Sequence, residues 1–581
     1  MTQKSGAFLV RYALEQLPVS WTFGIPGVHN TEIYDQLAAS EKIKPILVTH
    51  ETGAAFIADA VSRTSNGEIG VLVIVPAAGM THAMSGIGEA FLDGIPLLVI
   101  SGGTRTDINE SFQLHELDQG RILAGITKGY WRVTEHQKVV PTLWEAYRVA
   151  VSGTPGPVFV EIPVNIQLFQ GPVGDIPKFE PVVPRMISPE GDLDDAVALL
   201  SRARSPGIFV GWGAVDVVDE TKEIADLLGA PVSTTLQGLS AFPGNHPLHA
   251  GMGFSRAAVP AAEHAFQGCD CLLAIGTRFG EIPTGSFGAT VPENLIHVDI
   301  DPGVFNRNYK AKITIEGDSC VVIPKLLSRL KGAIAQDAFQ ARRGRVALQL
   351  AEDKAAYKRE WLVRSKDRVN PILVFDAIRK RLPDDAILVA DDGNHTFLAA
   401  ELFEVRAKRS FISPTDFNCM GYCVPAAIGA KLSNPRKQVV GIVGDGAFLM
   451  TGMEILTAAT HKLGIVYFVF SDGELAQISQ GQEIPYHRKT CTILGKLRLE
   501  GIAMATGAKY IEIANDQQVE PGVDMALQSA AVGQPVIVDV RIDYAKRTRF
   551  TQGVVQTVLK RFPMGDRVRF ISRALVRKVT G

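Results

Sequence analysis

The sequence predicts an α/β chain of three doubly wound parallel-sheet domains, and three observations carry that prediction. Short apolar strands alternate with helical stretches, as where Val71–Val75 (VLVIV) is followed by a helix and then by Leu97–Ser101 (LLVIS). Strands this uniformly apolar fit parallel sheets covered by helices on both faces. Two segments interrupt the alternation: a Pro-rich run over 171–189 and a charged helix predicted from about Asp337 to Asp367, ahead of a restart at Asn370-Pro371. The length, 581 residues, exceeds what one hydrophobic core serves. We therefore expect domains over 1–175, 190–340 and 365–550, with a basic tail over 551–581.

The first block opens with MTQKSGAFLVRYALEQL, in which Arg11 and Glu15 break the apolar run. That pattern predicts an amphipathic helix rather than a secretion signal. The block closes on GPVFVEIP (Gly156–Pro163), and the last block closes on the similar GQPVIVDVRID (Gly533–Asp543), so the outer domains are expected to share a fold. In the middle block Ile208–Val215, Cys271–Gly280 and Leu295–Pro302 read as strands ending in Gly or Asp, at the edge where such sheets bind ligands. From Ala545 onward Lys and Arg dominate, with Asp566 the one acid. A solvated terminal helix is expected there, the alternative being a segment folded over the active site.

A formal charge of -2 supplies no basic field for nucleic acid or an anionic membrane, and no apolar run reaches the ~20 residues of a membrane span. Small-molecule chemistry in the cytoplasm is the expectation. The six cysteines form no pair of matching Cys-x-x-Cys elements, so reduced thiols are expected and zinc is not.

The chemistry concentrates at Val439–Met450 (VVGIVGDGAFLM), an apolar strand that runs through Gly444-Asp445-Gly446 into a helix. The N–H groups of Gly446 and Ala447 suit phosphate oxygens at a helix N-terminus, and Asp445 offers a hard oxygen to Mg²⁺. A second strand, Ile465–Phe470, ends in Ser471-Asp472-Gly473-Glu474. Adjacent parallel strands would bring Asp472 to the same crevice as a second metal ligand.

This pair of turns resembles the signature of thiamine-diphosphate enzymes, with Ser471 and Asp472 where the family has Asn-Asn or Asn-Asp. FGIPGVHN (Phe23–Asn30) and THETGAAFIADAVSR (Thr49–Arg63) look like the pyrimidine-binding domain of the acetolactate synthase and 2-oxo-acid decarboxylase family. The resemblance runs through all three domains to about residue 550, making the outer two pyrimidine- and diphosphate-binding. It implies that Glu51 is the carboxyl that favours the cofactor's imino form, which removes the C2 proton. It further implies that Asn394 and His395 bind the diphosphate and that the backbone carbonyl of Glu474 completes the metal shell. By the same resemblance Asn418 accepts from the cofactor's amino group and Met420 wedges between its rings.

Phe112-Gln113, Ile126-Thr127-Lys128, Pro231–Met252 and Gly276–Phe279 are similar to the acetolactate synthase branch. Gln113 would reach the C2 adduct and Lys128 would lie near the entrance, while His29, similar in place to the histidine of benzaldehyde lyase, would shuttle a proton at the adduct. Val75 and Pro76 precede Ala77-Ala78-Gly79, where decarboxylases place a histidine, and Ile478 stands where the pyruvate type has Glu. Ligation to a carbonyl acceptor is therefore expected, with aldehyde release of the benzoylformate type as the alternative and a non-catalytic regulatory homologue as a third reading. Gly481 stands where branched-chain acetolactate synthases carry an acceptor-pocket tryptophan, so another acceptor is expected. Arg278-Phe279-Gly280-Glu281 and Gly251-Met252-Gly253-Phe254 depart from the flavin elements, which leaves FAD open. The resemblance also implies 2-oxo acid or ketone substrates and a homodimer or homotetramer, with Glu51 of one subunit serving the cofactor held by Asp445 of another.

Overall fold

The computed structural model describes residues 2–176, 178–363 and 367–580. Three six-stranded sheets, parallel throughout, lie along the chain. In the first, the strands run across the sheet as Lys44–Leu47, Trp21–Gly24, Gly70–Ile74, Leu97–Gly103, Pro157–Pro163 and Tyr130–Arg132. In the last, the order is Phe411–Ile412, Ile387–Ala390, Val439–Gly444, Ile465–Phe470, Val536–Val540 and Lys509–Ile513. Numbered by sequence within each domain, both read 2-1-3-4-6-5, so the outer domains do share a topology. The middle sheet, His249–Met252, Val232–Thr234, Pro206–Val210, Cys271–Ile275, Asn294–Asp299 and Ile313–Glu316, reads 3-2-1-4-5-6, the dinucleotide-binding order. At its switch point Gly211 and Gly276 press backbone on backbone, and a Cβ on Gly211 would collide with the Gly276 carbonyl.

The outer domains meet through two helices, Glu51–Thr64 and Cys423–Ser433. Where they touch the residues are small, Gly429 of the second helix lying against Ala60 and the backbone of Ile57 of the first, all buried. Small residues let helix backbones approach, and a Cβ on Gly429 would strike the carbonyl of Ile57. Phe56 and Tyr422 pack edge-on with centroids 5.3 Å apart, so one core runs through both domains.

Three local expectations are corrected. The chain begins as a strand, Thr2–Ser5, antiparallel to Gln170–Val173, and only then enters the helix Gly6–Leu14. The charged helix is shorter, Gln340–Trp361, anchored by buried Leu350, Tyr357 and Trp361. The tail forms two helices: Arg549–Arg561 lays Gly553 on Ala257 of the middle domain, and Met564–Thr580 lies against Ala476–Tyr486. Its basic residues cap aromatic rings, Arg561 over Phe287 and Arg573 over Tyr486. Among the described residues no helix is long and apolar enough to cross a membrane.

Candidate cofactor and metal site

Strands Val439–Gly444 and Ile465–Phe470 pair in register, Gly444 opposite Phe470, so the turns that follow them emerge side by side. Asp445 is buried at the start of helix Asp445–Thr451. Its Oδ2 accepts the N–H of Gly473 at 2.8 Å and of Asp472 at 3.2 Å, and its Oδ1 accepts the N–H of Gly446 at 2.9 Å. Gly446 therefore spends its N–H on Asp445 itself. The Asp472 carboxylate accepts from the N–H of Glu474 at 3.3 Å, while the Glu474 side chain turns away to Lys489 at 2.6 Å.

Burial raises the pKa of Asp445 against the three N–H groups that hold it. Burial, reinforced by the charge of Asp445, pushes Asp472 up to about 7. Two carboxylates this close destabilise one another unless a proton or a cation intervenes. An all-oxygen donor set suits a hard divalent cation.

Asn394 opens the helix Asn394–Leu402 next to this crevice, its amide 3.5 Å from Gln480, which in turn donates to the Tyr544 carbonyl at 3.1 Å. His395 is buried beside Gly393 and Gly444, and its Nε2 has no hydrogen-bond partner. Burial lowers its pKa to about 3, leaving a neutral imidazole. An orphaned nitrogen beside a helix N-terminus and a pair of carboxylates fits a metal-bound diphosphate, so these residues suit the group.

Asn418 takes a positive φ of 64° and bonds Asp392, whose pKa burial raises to about 6 against that bond. Met420 is partly buried against the shared core. The loop carrying both is held from the first domain. Glu89 accepts the N–H of Thr415 at 3.1 Å and of Cys419 at 3.2 Å, and Asp93 accepts the N–H of Asp416 at 3.0 Å. Beneath them the buried Arg63 guanidinium binds Asp59 at 2.6 Å, faces Asp93 at 3.0 Å and donates to the Ser413 carbonyl.

Glu51 begins helix Glu51–Thr64 and is only 6% exposed. Its Oε2 lies 3.1 Å from Nδ1 of His82, and its Oε1 lies over Gly79. Two residues earlier, Thr49 donates through its hydroxyl to Glu454 of the last domain at 2.5 Å. His29 is buried, its Nδ1 3.3 Å from Nδ1 of His115, and burial together with His115 lowers its pKa.

Gln113 and Lys128 are both engaged by nearby backbone. Both amide atoms of Gln113 are engaged by the backbone of Arg105, at 3.0 Å each, beside the 98%-exposed Phe112. The Nζ of Lys128 is held by the carbonyls of Val149 and Ser152, and burial lowers its pKa to about 8. Sequence reasoning missed Glu454, the Arg63 cluster and His82. For His82 a signal existed: it stands one turn into the helix that follows strand Gly70–Ile74, at the same edge of the sheet as Glu51.

Family models described as thiamine pyrophosphate enzyme match this chain in three places: the N-terminal TPP binding domain at 4–122, the central domain at 193–326 and the C-terminal TPP binding domain at 391–540. The acetolactate synthase large subunit of Corynebacterium glutamicum is 31% identical over 552 residues, covering 92% of this chain and 86% of that one. The probable acetolactate synthase large subunit of Methanocaldococcus jannaschii is 30% identical, covering 93% and 92%. Acetolactate synthase isozyme 3 large subunit of Escherichia coli is 29% identical, covering 94% and 96%. With the paired turns, the buried Glu51 and the shared topology of its outer domains, the chain belongs to the thiamine pyrophosphate-dependent enzymes, in their acetolactate synthase-like family.

Proposed function

We propose that this enzyme uses thiamine diphosphate and Mg²⁺ to decarboxylate or cleave a 2-oxo acid or diketone and to join the acyl fragment to a second carbonyl compound. The observation that carries the reading is the coexistence of the buried Asp445 and half-buried Asp472 carboxylates with a buried, histidine-bonded Glu51. When bound, thiamine diphosphate supplies a carbon nucleophile that stores the electrons released as a neighbouring C–C bond breaks.

The chain's own residues do the rest. Asp445, Asp472 and the backbone carbonyl of Glu474 would hold the metal. Asn394, His395, Gly444 and Ala447 would cradle the diphosphate, Gly446 joining them only by releasing its N–H from Asp445, and Asn418 and Met420 would set the cofactor's bend. Glu51 holds and moves a proton at its carboxyl. His29 keeps a neutral imidazole, because burial and His115 disfavour its charged form, and is free to take a proton from a hydroxyl. For Gln113 to reach the reacting carbon, its bonds to Arg105 would have to open. Assembly as a homodimer or homotetramer is supported by the apolar side chains exposed after Asp445, namely Leu449, Met450, Met453 and Leu456.

Incubating the enzyme with pyruvate, benzoylformate and a panel of diketones, with products identified by mass spectrometry and chiral chromatography, tests the reading. Chiral hydroxyketones are expected. A second reading, aldehyde release, is favoured by His82 on the first domain, whose imidazole beside Glu51 is a proton source, and free aldehyde as the sole product would establish it in place of the first.

A further inference from the structure

Glu51 is reached from strand Lys44–Leu47 through a three-residue turn, Val48, Thr49 and His50, and the direction of its carboxyl depends on how that turn is held. Two of the three residues are fixed from within the first domain. Val48 donates its N–H to the Gly24 carbonyl at 3.4 Å, and the His50 carbonyl accepts the N–H of Ala54 at 3.1 Å. Thr49 is fixed from the last domain. Its N–H lies 3.1 Å and 3.2 Å from the two carboxylate oxygens of Glu454, and its hydroxyl donates to Oε2 at 2.5 Å. Glu454 is 1% exposed, and its Oε1 accepts the Thr457 hydroxyl at 2.6 Å. A buried carboxylate is costly unless its oxygens are bonded, so these donors fix both its place and its orientation. Oε2 also lies over the first turn of helix Glu51–Thr64, where a Cβ on Gly53 would strike it. A carboxylate at that end gains from the helix dipole.

We propose that Glu454 is a positioning residue for Glu51, holding the turn at Thr49 so that the Glu51 carboxyl keeps a single orientation toward the cofactor. The inference rests on Glu51 serving the cofactor. Glu454 suits the task because its own support is rigid. The segment Gly452–Glu454 runs between helices Asp445–Thr451 and Ile455–Thr460, and Phe448, Ile455 and Ala458 around it are buried in the core shared by the outer domains. Without the acceptor, Thr49 is free to rotate and the helix start shifts with it. Proton transfer tolerates little of this, since a misplacement of about 1 Å can cost about 10²-fold in rate. Glu454 acts through Thr49 and Glu51 and transfers no proton itself.

The test uses the full-length holoenzyme with thiamine diphosphate and Mg²⁺, and reads hydrogen–deuterium exchange at the cofactor's C2 by quenched-flow NMR. Glu454→Gln puts a donor where Thr49 needs an acceptor and is expected to slow exchange by about 10²-fold. Thr49→Val keeps the shape and loses only the hydroxyl bond, and is expected to slow it by about 10-fold. Thr49→Ser, which keeps the hydroxyl, should exchange faster than Thr49→Val. Cofactor affinity, read by protein fluorescence, is expected to stay at the wild-type value in all three. In a Glu51→Gln background, Glu454→Gln should slow the residual exchange no further. Wild-type exchange in both Glu454→Gln and Thr49→Val would overturn the positioning role. So would slowing by Glu454→Gln that persists in the Glu51→Gln background, or that is matched by an equal loss of cofactor affinity, since either marks a general structural role. Should Glu454→Gln fail to fold, Thr49→Val decides by itself. Failure of the Glu51 reading looks different: exchange in Glu51→Gln would then run at the wild-type rate.

Discussion

Glu89 in the first domain accepts the backbone N–H of Cys419 in the last, across 330 residues of sequence. With Asp93 it turns the buried Arg63 cluster into a clamp on the loop that carries Asn418 and Met420. Three carboxylates, Asp59, Glu89 and Asp93, face one guanidinium, and burial, with Asp93 beside it, holds Glu89 well above the usual carboxylate range.

Removing the guanidinium would strand buried carboxylates. Arg63→Met is expected to cost about 3–5 kcal/mol, read by denaturant unfolding of the apoenzyme. Glu89→Gln keeps one acceptor and should cost less, about 1–3 kcal/mol, while loosening cofactor retention in gel filtration. Wild-type stability in Arg63→Met would show that the cluster contributes nothing.

His395 makes an acid-limb prediction. Its folded pKa, lowered by burial to about 3, lies below the about 6.5 of the unfolded chain. Between those values the unfolded state binds the proton that the native state refuses, so stability falls as pH drops, by about 1.4 kcal/mol per unit from this residue. His395→Gln should flatten that limb between about pH 6 and pH 4, whatever its intercept. An unchanged slope in equilibrium unfolding would contradict a buried neutral imidazole.

Metal removal should release the cofactor. Chelation with EDTA and desalting is expected to yield protein that no longer retains thiamine diphosphate, with Mg²⁺ restoring it. Asp445→Asn should bind the pair at least about 10-fold more weakly by calorimetry, because one charge-assisted metal bond is lost. Cofactor retained in full without divalent metal would contradict the role given to Asp445 and Asp472.

Gly481 lies on helix Ala476–Tyr486, and a Cβ there would meet nothing within 4 Å. Gly481→Trp is therefore expected to fold with wild-type stability and to shift the acceptor profile toward small 2-oxo acids, as read by product mass spectrometry. Loss of stability would mean the space is filled in the assembled enzyme, and an unchanged profile would remove Gly481 from the acceptor pocket.

What the sequence alone determined is the local chemistry and the order of elements. Val439–Gly444 and Ile465–Phe470 announce themselves as buried strands because nearly every residue is apolar, and Asp445 is conspicuous because a carboxylate follows directly on such a strand. The shared fold of the outer domains was visible in their similar closing strands, and the three-domain α/β class followed from the alternation. What only the tertiary structure decided is which side chains from distant segments meet. Glu454 against Thr49, Glu89 against Cys419 and His82 against Glu51 are set by helix packing, and the rotation of one helix about its axis leaves no trace in spacing. The strand at Thr2–Ser5 escaped because its partner, Gln170–Val173, lies far along the chain, and the docking of helix Arg549–Arg561 escaped because a basic composition hides the one glycine that seats it on Ala257. Local propensity is written residue by residue, whereas burial of a charged or polar group depends on what the rest of the chain brings to cover it.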